Sequence, residues 1–492
     1  MREVELKFAV DRTARERLAA AAPLARARPE RRPLATLYFD TADGELRSRG
    51  MALRLRREEG RWVQSLKAGA SGVGGLHARD EWEFDRATPG LELALFAETP
   101  LAGVADPERL HERLAVAFAV NLVRTAWVVS PAAGNRLEVV LDEGEVRRGA
   151  RAERIREVEI ECLEGDARAA FDLADALLDA LPMRPSLVTK AQRGYRLIDG
   201  KPLAPAKAKP VALSRAMSTL DAARAIAGAA LGQLEANEEG VAASDDPEFV
   251  HQARVALRRL RSALRMFRAA AGRERSRVWR DELASVAAAL GVARDWDVFA
   301  LEMLPPALAA HGNAALSRRL RARAARERER HRAAARKAVA SARHARAVLA
   351  LSRWLSGVDA EPLPAGPGLA DFAERSIRKA HDRLLARARH FAKLDAGGRH
   401  RLRIEAKRLR YGVDALAPVL ASHHVARYHD TVAKLQDALG AANDAVTASR
   451  LLPELDPPVE FLRFARRRFA AQARASFARA GPLLERLAAH RP

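Results

Sequence analysis

Over the first 198 residues, apolar and polar side chains alternate along the chain with a period of two. In the segment EVELK, Glu3, Glu5 and Lys7 fall on one side of a predicted strand and apolar residues fall on the other, because successive side chains of a strand point to opposite faces. The same alternation recurs in ALRLR, WVQSLK, RDEWEF, LEVVLD and EVEIEC. The pattern predicts an antiparallel sheet of many short strands.

After about residue 215 the period changes to 3.6, and long stretches of Ala, Leu and Arg predict helices. Between these regions, the segment DGKPLAPAKAKPVALS is interrupted by prolines and has no apolar periodicity, which indicates a semi-extended linker. We therefore predict an α+β multidomain protein, with a β domain at residues 1–198, a linker at 199–214 and an all-α domain at 215–492.

The helical half repeats itself with one offset. HQARVALRRLR begins at His251 and HRLRIEAKRLR begins at His400, a shift of 149 positions, and a Leu-Gly pair followed by Asp recurs at the same shift. A repeat of this length is far longer than that of a solenoid. The sequence predicts two duplicated helical bundles, at about residues 215–360 and 368–490, which the Pro- and Gly-rich segment EPLPAGPG separates.

The excess of positive over negative charge is confined to the helical half. The net charge of the chain is +22, yet residues 1–200 hold 32 Lys and Arg against 33 Asp and Glu, whereas the remainder holds 53 against 30. This asymmetry predicts a polyanionic partner for the second half: nucleic acid, acidic lipid or inorganic polyphosphate. The alternative is an Arg-rich composition on ordinary solvated helices.

The composition also bears on the compartment. Cys162 is the one cysteine, so an internal disulfide is excluded and a reducing compartment is expected. The opening segment MREVELKFAV lacks the apolar core of an export signal, and no run of 18 apolar residues occurs. We expect a cytoplasmic protein without a membrane partner.

The charged faces of the predicted strands have two interpretations. They can form the solvated outer face of a sheet, or they can line the inside of a sheet that closes on itself. An inner face would bring carboxylates beside Arg and Lys, a composition that is costly to bury unless ligands neutralise it. A triphosphate with divalent metal ions would satisfy both sets, because Mg²⁺ or Mn²⁺ binds carboxylate oxygens and guanidinium groups bind phosphate oxygens.

Two predicted helices carry matching basic stripes. Cations in each stripe are spaced 3 or 4 residues apart and therefore share one helix face, where they repel one another without an intervening carboxylate. Metal binding by the stripe histidines is disfavoured, since neither has a second His or Cys one turn away. Aromatic residues make up only 5% of the chain, which disfavours base stacking with nucleic acid.

The ordered set EVELK, YFDT, LRLR, a strand ending in Lys67, RDEWEF, Arg124, EVEIEC and SLVTKAQRGY resembles the CYTH, or triphosphate tunnel metalloenzyme, superfamily over residues 1–198. The resemblance implies an eight-stranded antiparallel barrel that binds a triphosphate and divalent metal, Mg²⁺ or Mn²⁺. It implies catalytic roles for Glu5 and Lys7 and metal ligation by Glu3, Glu5, Glu159 and Glu161. The substrate-binding cations that it implies are Lys7, Arg54, Arg56, Lys67, Arg124, Lys190 and Arg193.

The doubled motif H-x-x-R-x-x-x-[RK]-R-L-R resembles the CHAD domain over about residues 215–490. The resemblance implies that the two stripes line a groove for long-chain inorganic polyphosphate. The polyphosphate-binding residues that it implies are His251, Arg254, Arg258, Arg261, His400, Arg403, Lys407 and Arg410.

These expectations combine into one functional hypothesis with alternatives. The first domain is expected to hydrolyse inorganic tripolyphosphate to pyrophosphate and phosphate, while the second holds polyphosphate, in the cytoplasm or at polyphosphate granules. One alternative is a non-catalytic adaptor on such granules. Another is an enzyme for an organic triphosphate, either a thiamine triphosphatase or an adenylate cyclase.

Overall fold

The structure, a computed structural model, describes residues 2–104, 107–359, 368–420 and 425–490, apart from the side chains of residues 2–4, 70, 71, 78, 79, 107 and 108. The chain divides into two compact units. The first comprises Met1–Ala204 together with Ala340–Ala360, and the second comprises Pro205–Val339 together with Glu361–Pro492.

Nine strands and five helices make up the N-terminal part of the first unit. The strands are β1 (Arg2–Val10), β2 (Glu30–Thr41), β3 (Ala52–Glu58), β4 (Arg61–Val73), β5 (Leu76–Arg86), β6 (Leu114–Val129), β7 (Arg136–Arg148), β8 (Arg151–Glu164) and β9 (Met183–Pro185). The helices are α1 (Ala14–Ala20), α2 (Glu45–Ser48), α3 (Pro107–Arg113), α4 (Arg168–Ala180) and α5 (Lys190–Asp199).

The antiparallel sheet closes on itself. Its strand order is β5-β4-β3-β2-β6-β7-β8-β1, and β1 also pairs with β5, so eight strands form a ring to which the short β9 adds beside β1. Strand β1 achieves both pairings by offset: Arg2–Leu6 pairs with β5 and Glu5–Ala9 pairs with β8. The predicted eight-stranded antiparallel barrel is confirmed, as is the α+β fold class.

The apolar faces of the strands point outward and are covered by helices. Leu6, Phe8 and Ile160, each at most 1% exposed, pack with Leu18 of α1 and Phe171 of α4 in one core. On the opposite side, Leu53 and Leu66 pack with residues of α2 and of the 3₁₀ segments that follow β5. The outer layer therefore buries the apolar half of the alternating pattern, and the charged half is left to face the interior.

The remaining helices follow after residues 201–214, which have neither helix nor strand. They are α6 (Thr219–Ala243), α7 (Pro247–Met266), α8 (Arg273–Val298), α9 (Leu304–His311), α10 (Ala314–Val339), α11 (Ala342–Ser356), α12 (Leu369–Ala388), α13 (Ala396–Leu416), α14 (Val425–Leu451), α15 (Val459–Ala478) and α16 (Ala480–Ala489). All except α11 lie in the second unit. No helix among the described residues is both long and apolar enough to cross a membrane.

Corresponding helix starts support the duplication of the second unit. Asp246 caps α7 by accepting a hydrogen bond from the Glu248 amide, and Asp395 caps α13 by accepting one from the Gly398 amide. The two aspartates are 149 positions apart, the offset found in the sequence. A short polar side chain at this position satisfies an amide that the first helical turn leaves without a partner.

Helix α11 belongs to the first unit, although the sequence analysis assigned its residues to the first helical repeat. Ala345 and Leu349 enter the same core as Phe171 of α4. Arg346 forms ion pairs with two aspartates of α4, one of them Asp175 at 3.2 Å. The barrel thus takes one covering helix from a distant part of the chain.

The end of α11 also contacts the β4–β5 hairpin. The Ser352 hydroxyl lies 3.0 Å from the carbonyl oxygen of Gly74, in the hairpin turn. Gly74 has φ +65°, and a Cβ atom there would lie 1.3 Å from the Ser352 oxygen, so only glycine fits. The neighbouring Gly75 carbonyl accepts a hydrogen bond from the Lys7 amide at 2.8 Å. The hairpin tip therefore joins α11 to β1.

We expect Leu349→Ala to lower the free energy of unfolding of the first unit by about 2–5 kcal/mol, because Leu349 is 3% exposed and its truncation leaves a cavity. Hydrogen exchange of β7 and β8 in the full chain measures this loss. The matched control is Leu163→Ala at a position that is 39% exposed, where a change within about 0.5 kcal/mol is expected. Unchanged exchange in the Leu349 variant would contradict the assignment of α11 to this core.

Candidate functional site

The inner face of the barrel lines a cavity of about 260 Å³. Its walls combine cations, which concentrate on the adjacent strands β4, β3, β2 and β6, with carboxylates, which concentrate on β7, β8, β1 and β5. The charged lining residues are Glu5, Lys7, Arg32, Arg54, Arg56, Lys67, Glu81, Glu83, Arg124, Glu138, Glu159, Glu161 and Lys190. The interpretation of the charged strand faces as a solvated outer surface is therefore wrong.

The strand register sets the pairing of charges in the cavity. Lys7 of β1 lies opposite Glu159 of β8, and Lys67 of β4 lies opposite Glu81 of β5. Residues directly opposite on antiparallel strands have their side chains on the same face, within reach of each other. For these two lysines the period of two and the register place the cation beside a carboxylate, whereas Arg32 of β2 lies opposite Arg124 of β6.

Five charged groups form a buried network at one end of the cavity. The Lys190 amino group lies 2.7 Å from Asp142, 2.5 Å from Glu157 and 2.9 Å from Glu159, and the Lys7 amino group lies 2.8 Å from Glu159. Burial by itself would lower the pKa of Lys7, but the charges of Glu157 and Glu159 outweigh it and raise that pKa above its ordinary value. Both ammonium groups therefore stay charged at neutral pH.

Arg124 extends this network along the wall. Its guanidinium donates two hydrogen bonds to Asp142, at 2.8 and 2.7 Å, and a third to Glu159 at 3.1 Å. Burial opposes ionisation of Glu159, but the nearby charges of Lys190, Lys7 and Arg124 prevail and hold the pKa of Glu159 well below its usual range. The network is charge-compensated at neutral pH.

The opposite wall is built from β3, β4 and β5. Arg54 lies 2.8 Å from Glu81, Lys67 lies 2.9 Å from the same carboxylate, and Arg56 lies 3.0 Å from Glu83. The adjacent charge of Arg54 and then burial lower the pKa of Arg56. A guanidinium beside a second guanidinium would gain from an added anion.

Helix α5 carries Lys190 to the cavity. Thr189 and Gln192 form a capping box that starts the helix, so Lys190 is its first residue. The helix lies against β6 so closely that a Cβ atom on Gly194 would be 2.3 Å from the Phe118 ring. The Tyr195 hydroxyl donates to Asp40 at 2.8 Å and holds the helix in place.

The second unit carries a separate cationic surface where α7 and α13 pack together. Arg254 and Arg258 of α7 lie close enough to Arg403 and Lys407 of α13 for electrostatic repulsion among them. The nearest carboxylate to Arg254 is Asp295, at 3.7 Å. Burial, then repulsion by Arg258, lowers the pKa of Arg254. In contrast to the barrel, these cations are poorly compensated.

Lys407 shows the effect most strongly. Burial, followed by repulsion from Arg403, Arg258 and Arg254, lowers its pKa to about 6, and the attraction of Asp444 does not offset this. The free protein therefore holds Lys407 largely uncharged above pH 6. Because the unfolded chain keeps this proton, the group makes the second unit more stable as the pH rises through neutrality.

A cavity of about 380 Å³ lies beside this surface, between α7, α8, α12 and α13. Nine Lys and Arg residues line it, and its described lining contains no Asp or Glu. The Nε atoms of Arg258 and Arg261 are buried without a hydrogen-bond partner. The nine cations that line this cavity favour an anionic ligand here.

Residues 1–195 match the CYTH domain family and residues 225–453 match the CHAD domain family. The solved CHAD domain from the plant Ricinus communis is 32% identical to this chain, with a TM-score of 0.51, and the match covers 58% of this chain and 98% of that one. The chain carries a CYTH domain and a CHAD domain. An inorganic triphosphatase of Haemophilus influenzae is 30% identical over 165 residues, which are 33% of this chain and 46% of that protein, so the match spans less than half of the relative.

The CYTH cavity brings together most residues that the sequence analysis selected. Glu5, Glu159, Glu161 and the cations Lys7, Arg54, Arg56, Lys67, Arg124 and Lys190 all line it. The Glu3 side chain lies outside the described residues. Arg193 is not in the lining, and it forms an ion pair with Glu153 at 2.5 Å. Sequence reasoning missed Arg32, because the charged run ERRP hides the period of two.

Carboxylates in the CYTH cavity fit a hard divalent metal ion. Glu5 and Glu161 pair across β1 and β8, and Glu161 pairs with Glu138 of β7, so three carboxylates meet on one wall. A second group comprises Asp142, Glu157 and Glu159, whose oxygens lie within 4.8 Å of one another. Oxygen donors of this kind are those that Mg²⁺ and Mn²⁺ prefer. In the second group, Lys7 and Lys190 already neutralise the carboxylates.

The CHAD residues selected from the sequence fall into three groups. Arg254, Arg258, Arg403 and Lys407 form the cationic surface, with the half-buried His251 beside it. Arg261 lines the 380 Å³ cavity together with Arg258 and Lys407. His400 is exposed, and Arg410 forms an ion pair with Asp414 at 3.4 Å.

We expect Lys407 to titrate near pH 6 in the free protein, because burial and three neighbouring arginines disfavour its charge. Reductive ¹³C-methylation followed by NMR across pH 5–9 would show one dimethyl-lysine resonance with this midpoint. In Lys407→Arg the resonance should be absent, which assigns it. A Lys407 resonance without a transition in this range would contradict the predicted uncharged state.

Proposed function

We propose that the CYTH domain hydrolyses inorganic triphosphate to pyrophosphate and phosphate with Mg²⁺ or Mn²⁺, and that the CHAD domain binds inorganic polyphosphate. The observation that carries the enzymatic part is the cavity inside the closed sheet, where most strand cations line one half of the ring and the carboxylates line the other. The Haemophilus influenzae relative bears the name of the same activity. In the proposed function the protein acts in the cytoplasm, and polyphosphate binding would bring it to granules.

Ion pairs within the cavity define how it would accept a triphosphate. Arg54, Arg56 and Lys67 each contact a carboxylate, and phosphate oxygens can take over the same donors with charge-assisted hydrogen bonds. The metal ion would be held by Glu5, Glu138, Glu159 and Glu161. When bound, it would supply Lewis-acid stabilisation of the phosphate charge. Lys7 and Arg124, on the buried side, would stabilise charge on the transferring group.

The described lining of the cavity lacks an extended stacking surface and an apolar pocket, which favours an inorganic substrate over an organic triphosphate. Tyr38 is the one aromatic residue in its described lining, and the apolar residues are aliphatic and few. A nucleobase or a thiazolium ring would need a stacking surface or an apolar pocket. Of the 22 described residues that line this cavity of about 260 Å³, 13 are charged.

Uncompensated cations carry the polyphosphate part of the proposal. Arg254, Arg258, Arg403 and Lys407 repel each other in the free protein, and a chain of phosphates would relieve that repulsion. Tyr411, over whose ring Arg258 lies at 5.7 Å, is the one aromatic residue in the described lining of the adjacent cavity. This surface favours an inorganic polyanion over bases that must stack.

We expect phosphate release from tripolyphosphate with Mg²⁺ and slower release from nucleoside triphosphates and thiamine triphosphate. Arg56→Ala should lower kcat/KM for tripolyphosphate by about 100-fold, because one of the cations that would bind the phosphate oxygens is lost. The control, Arg154→Ala, removes an exposed arginine from the outer face of β8 and should leave the rate unchanged.

Two results would contradict this assignment. If no triphosphate releases phosphate, the non-catalytic adaptor is the better reading. If thiamine triphosphate or a nucleoside triphosphate is turned over faster than tripolyphosphate, the organic-triphosphate alternative holds.

Replacing Arg254, Arg258, Arg403 and Lys407 by Ala should abolish retention of the protein on immobilised polyphosphate at fixed salt. Turnover of free tripolyphosphate should persist, since these residues are not in the CYTH cavity. A matched control replaces four exposed arginines of α10, Arg318, Arg319, Arg321 and Arg326, and removes the same number of basic residues. Equal retention of both variants would show that only net charge matters, and duplex DNA that outcompetes polyphosphate would favour a nucleic-acid partner.

A further inference from the structure

The duplicated halves of the CHAD domain are chemically unequal at one pair of corresponding sites. At the offset of 149, Arg261, Arg265 and Arg280 of the first repeat correspond to Arg410, Asp414 and His429 of the second. The first set lines the 380 Å³ cavity, which we call the open site. The second set we call the closed site.

Most cations of the open site are poorly compensated, although Arg408 forms an ion pair with Glu405 at 2.5 Å. Among the described residues, Arg261 and Arg265 form no ion pair, and repulsion from Arg280 contributes to the lowered pKa of both, after burial as the larger cause. The Arg261 Nε is buried without a hydrogen-bond partner. Positive charges from α7 and α8 therefore converge on one cavity.

Helix α12 adds to this convergence. Lys379 and Arg383 line the open site from the fourth helix. Helix α12 carries five Lys and Arg residues, whereas α6, which precedes α7 as α12 precedes α13, carries Arg224 alone. A basic helix of this kind is therefore present in one repeat only.

The closed site has an internal anion. Asp414, where the first repeat has Arg265, accepts a hydrogen bond from the His429 ring at 2.5 Å and forms an ion pair with Arg410 at 3.4 Å. The same carboxylate attracts Arg259 of α7. One aspartate thus supplies at the closed site the negative charge that the open site lacks.

We propose that the open site binds the terminal phosphate of a polyphosphate chain, so that the chain lies on the CHAD domain with one end fixed. The inference rests on polyphosphate binding as the proposed function and specifies the part of the polymer that is recognised. An internal phosphate carries one negative charge, whereas a terminal phosphate, like a phosphomonoester, loses a second proton with a pKa of about 6. A cavity in which four helices direct cations at one point suits the compact dianion, while the extended α7–α13 surface suits the internal chain.

Two polymers distinguish end recognition from general polyanion binding. One is linear polyphosphate with free ends, and the other is the same preparation with both ends blocked as neutral-amine phosphoramidates. Binding is measured by calorimetry at pH 7.5 without divalent metal, on the full chain with Arg54 and Arg56 replaced by Ala so that the CYTH cavity does not contribute. We expect free ends to bind about tenfold more tightly than blocked ends. The triple variant Arg261→Ala, Arg265→Ala, Arg280→Ala should bind both at the level of the blocked polymer.

A matched triple variant, Arg318→Ala, Arg319→Ala, Arg321→Ala on α10, has the same change in net charge and should keep the preference for free ends. Equal affinity of the unmodified CHAD surface for free and blocked chains would overturn end recognition while leaving polyphosphate binding intact. No binding of either polymer would instead overturn the proposed function, and the end-recognition inference with it.

Asp414→Arg provides a second test that does not require the triple variant to fold. It places in the second repeat the residue type of the first and removes the anion of the closed site. With short chains that have free ends, we expect the number of chains bound per protein to rise from one to about two. A stoichiometry that stays at one, with unchanged affinity, would contradict the role assigned to the carboxylate.

Discussion

The burial of opposite charges inside the CYTH barrel is the constraint on which the rest of that domain depends. Removing charged groups from water costs several kcal/mol for each ion, and the cost is tolerated only where partners are close and well placed. Lys190 meets this condition with three carboxylates within 3 Å. Since the inner face is committed to these ions, the apolar side chains of the same strands must point outward, and helices have to cover them. The covering layer of α1, α4 and α11 is thus a consequence of the cavity.

Charge compensation also shapes how the two domains would meet their ligands. In the CYTH cavity each cation already has a carboxylate, so a phosphate that takes the cation leaves that carboxylate without a partner, and a metal ion would supply one. Anion and metal are therefore expected to bind more tightly together than either alone. The CHAD surface has the opposite character. Its cations are poorly compensated, and burial together with their repulsion lowers the pKa of Lys407 to about 6. A polyanion alone satisfies it.

Local periodicity predicted the strands, the helices and which side chains share a face, but it left an inner and an outer charged sheet face both open. The closed barrel and its cavity residues were implied by the resemblance to the CYTH superfamily, and the duplication was predicted from a repeat at one offset. Periodicity could not assign α11 to the first unit, because Leu349 packs in the same core as Phe171, which is far away in the chain. Arg193 illustrates a different limit. It lies one turn beyond Lys190 on α5, and the helix carries it past the cavity to Glu153. The pattern predicts which face of a helix or strand a residue lies on. Whether the residue reaches the cavity depends on packing, such as the contact of Gly194 with Phe118.

Duplication explains both the strength and the asymmetry of the CHAD surface. Two copies of one basic helix, packed against each other, bring like charges together at a density that neither copy holds alone. The same symmetry would create two equal cavities at the ends of the pair. Two equal end sites on one short surface would serve a polymer only if both of its ends were held. A chain that is fixed at one end can extend freely. Asp414 stands where the first repeat has Arg265, and it pairs with Arg410 and with the His429 ring, so one cavity is left for a multiply charged group.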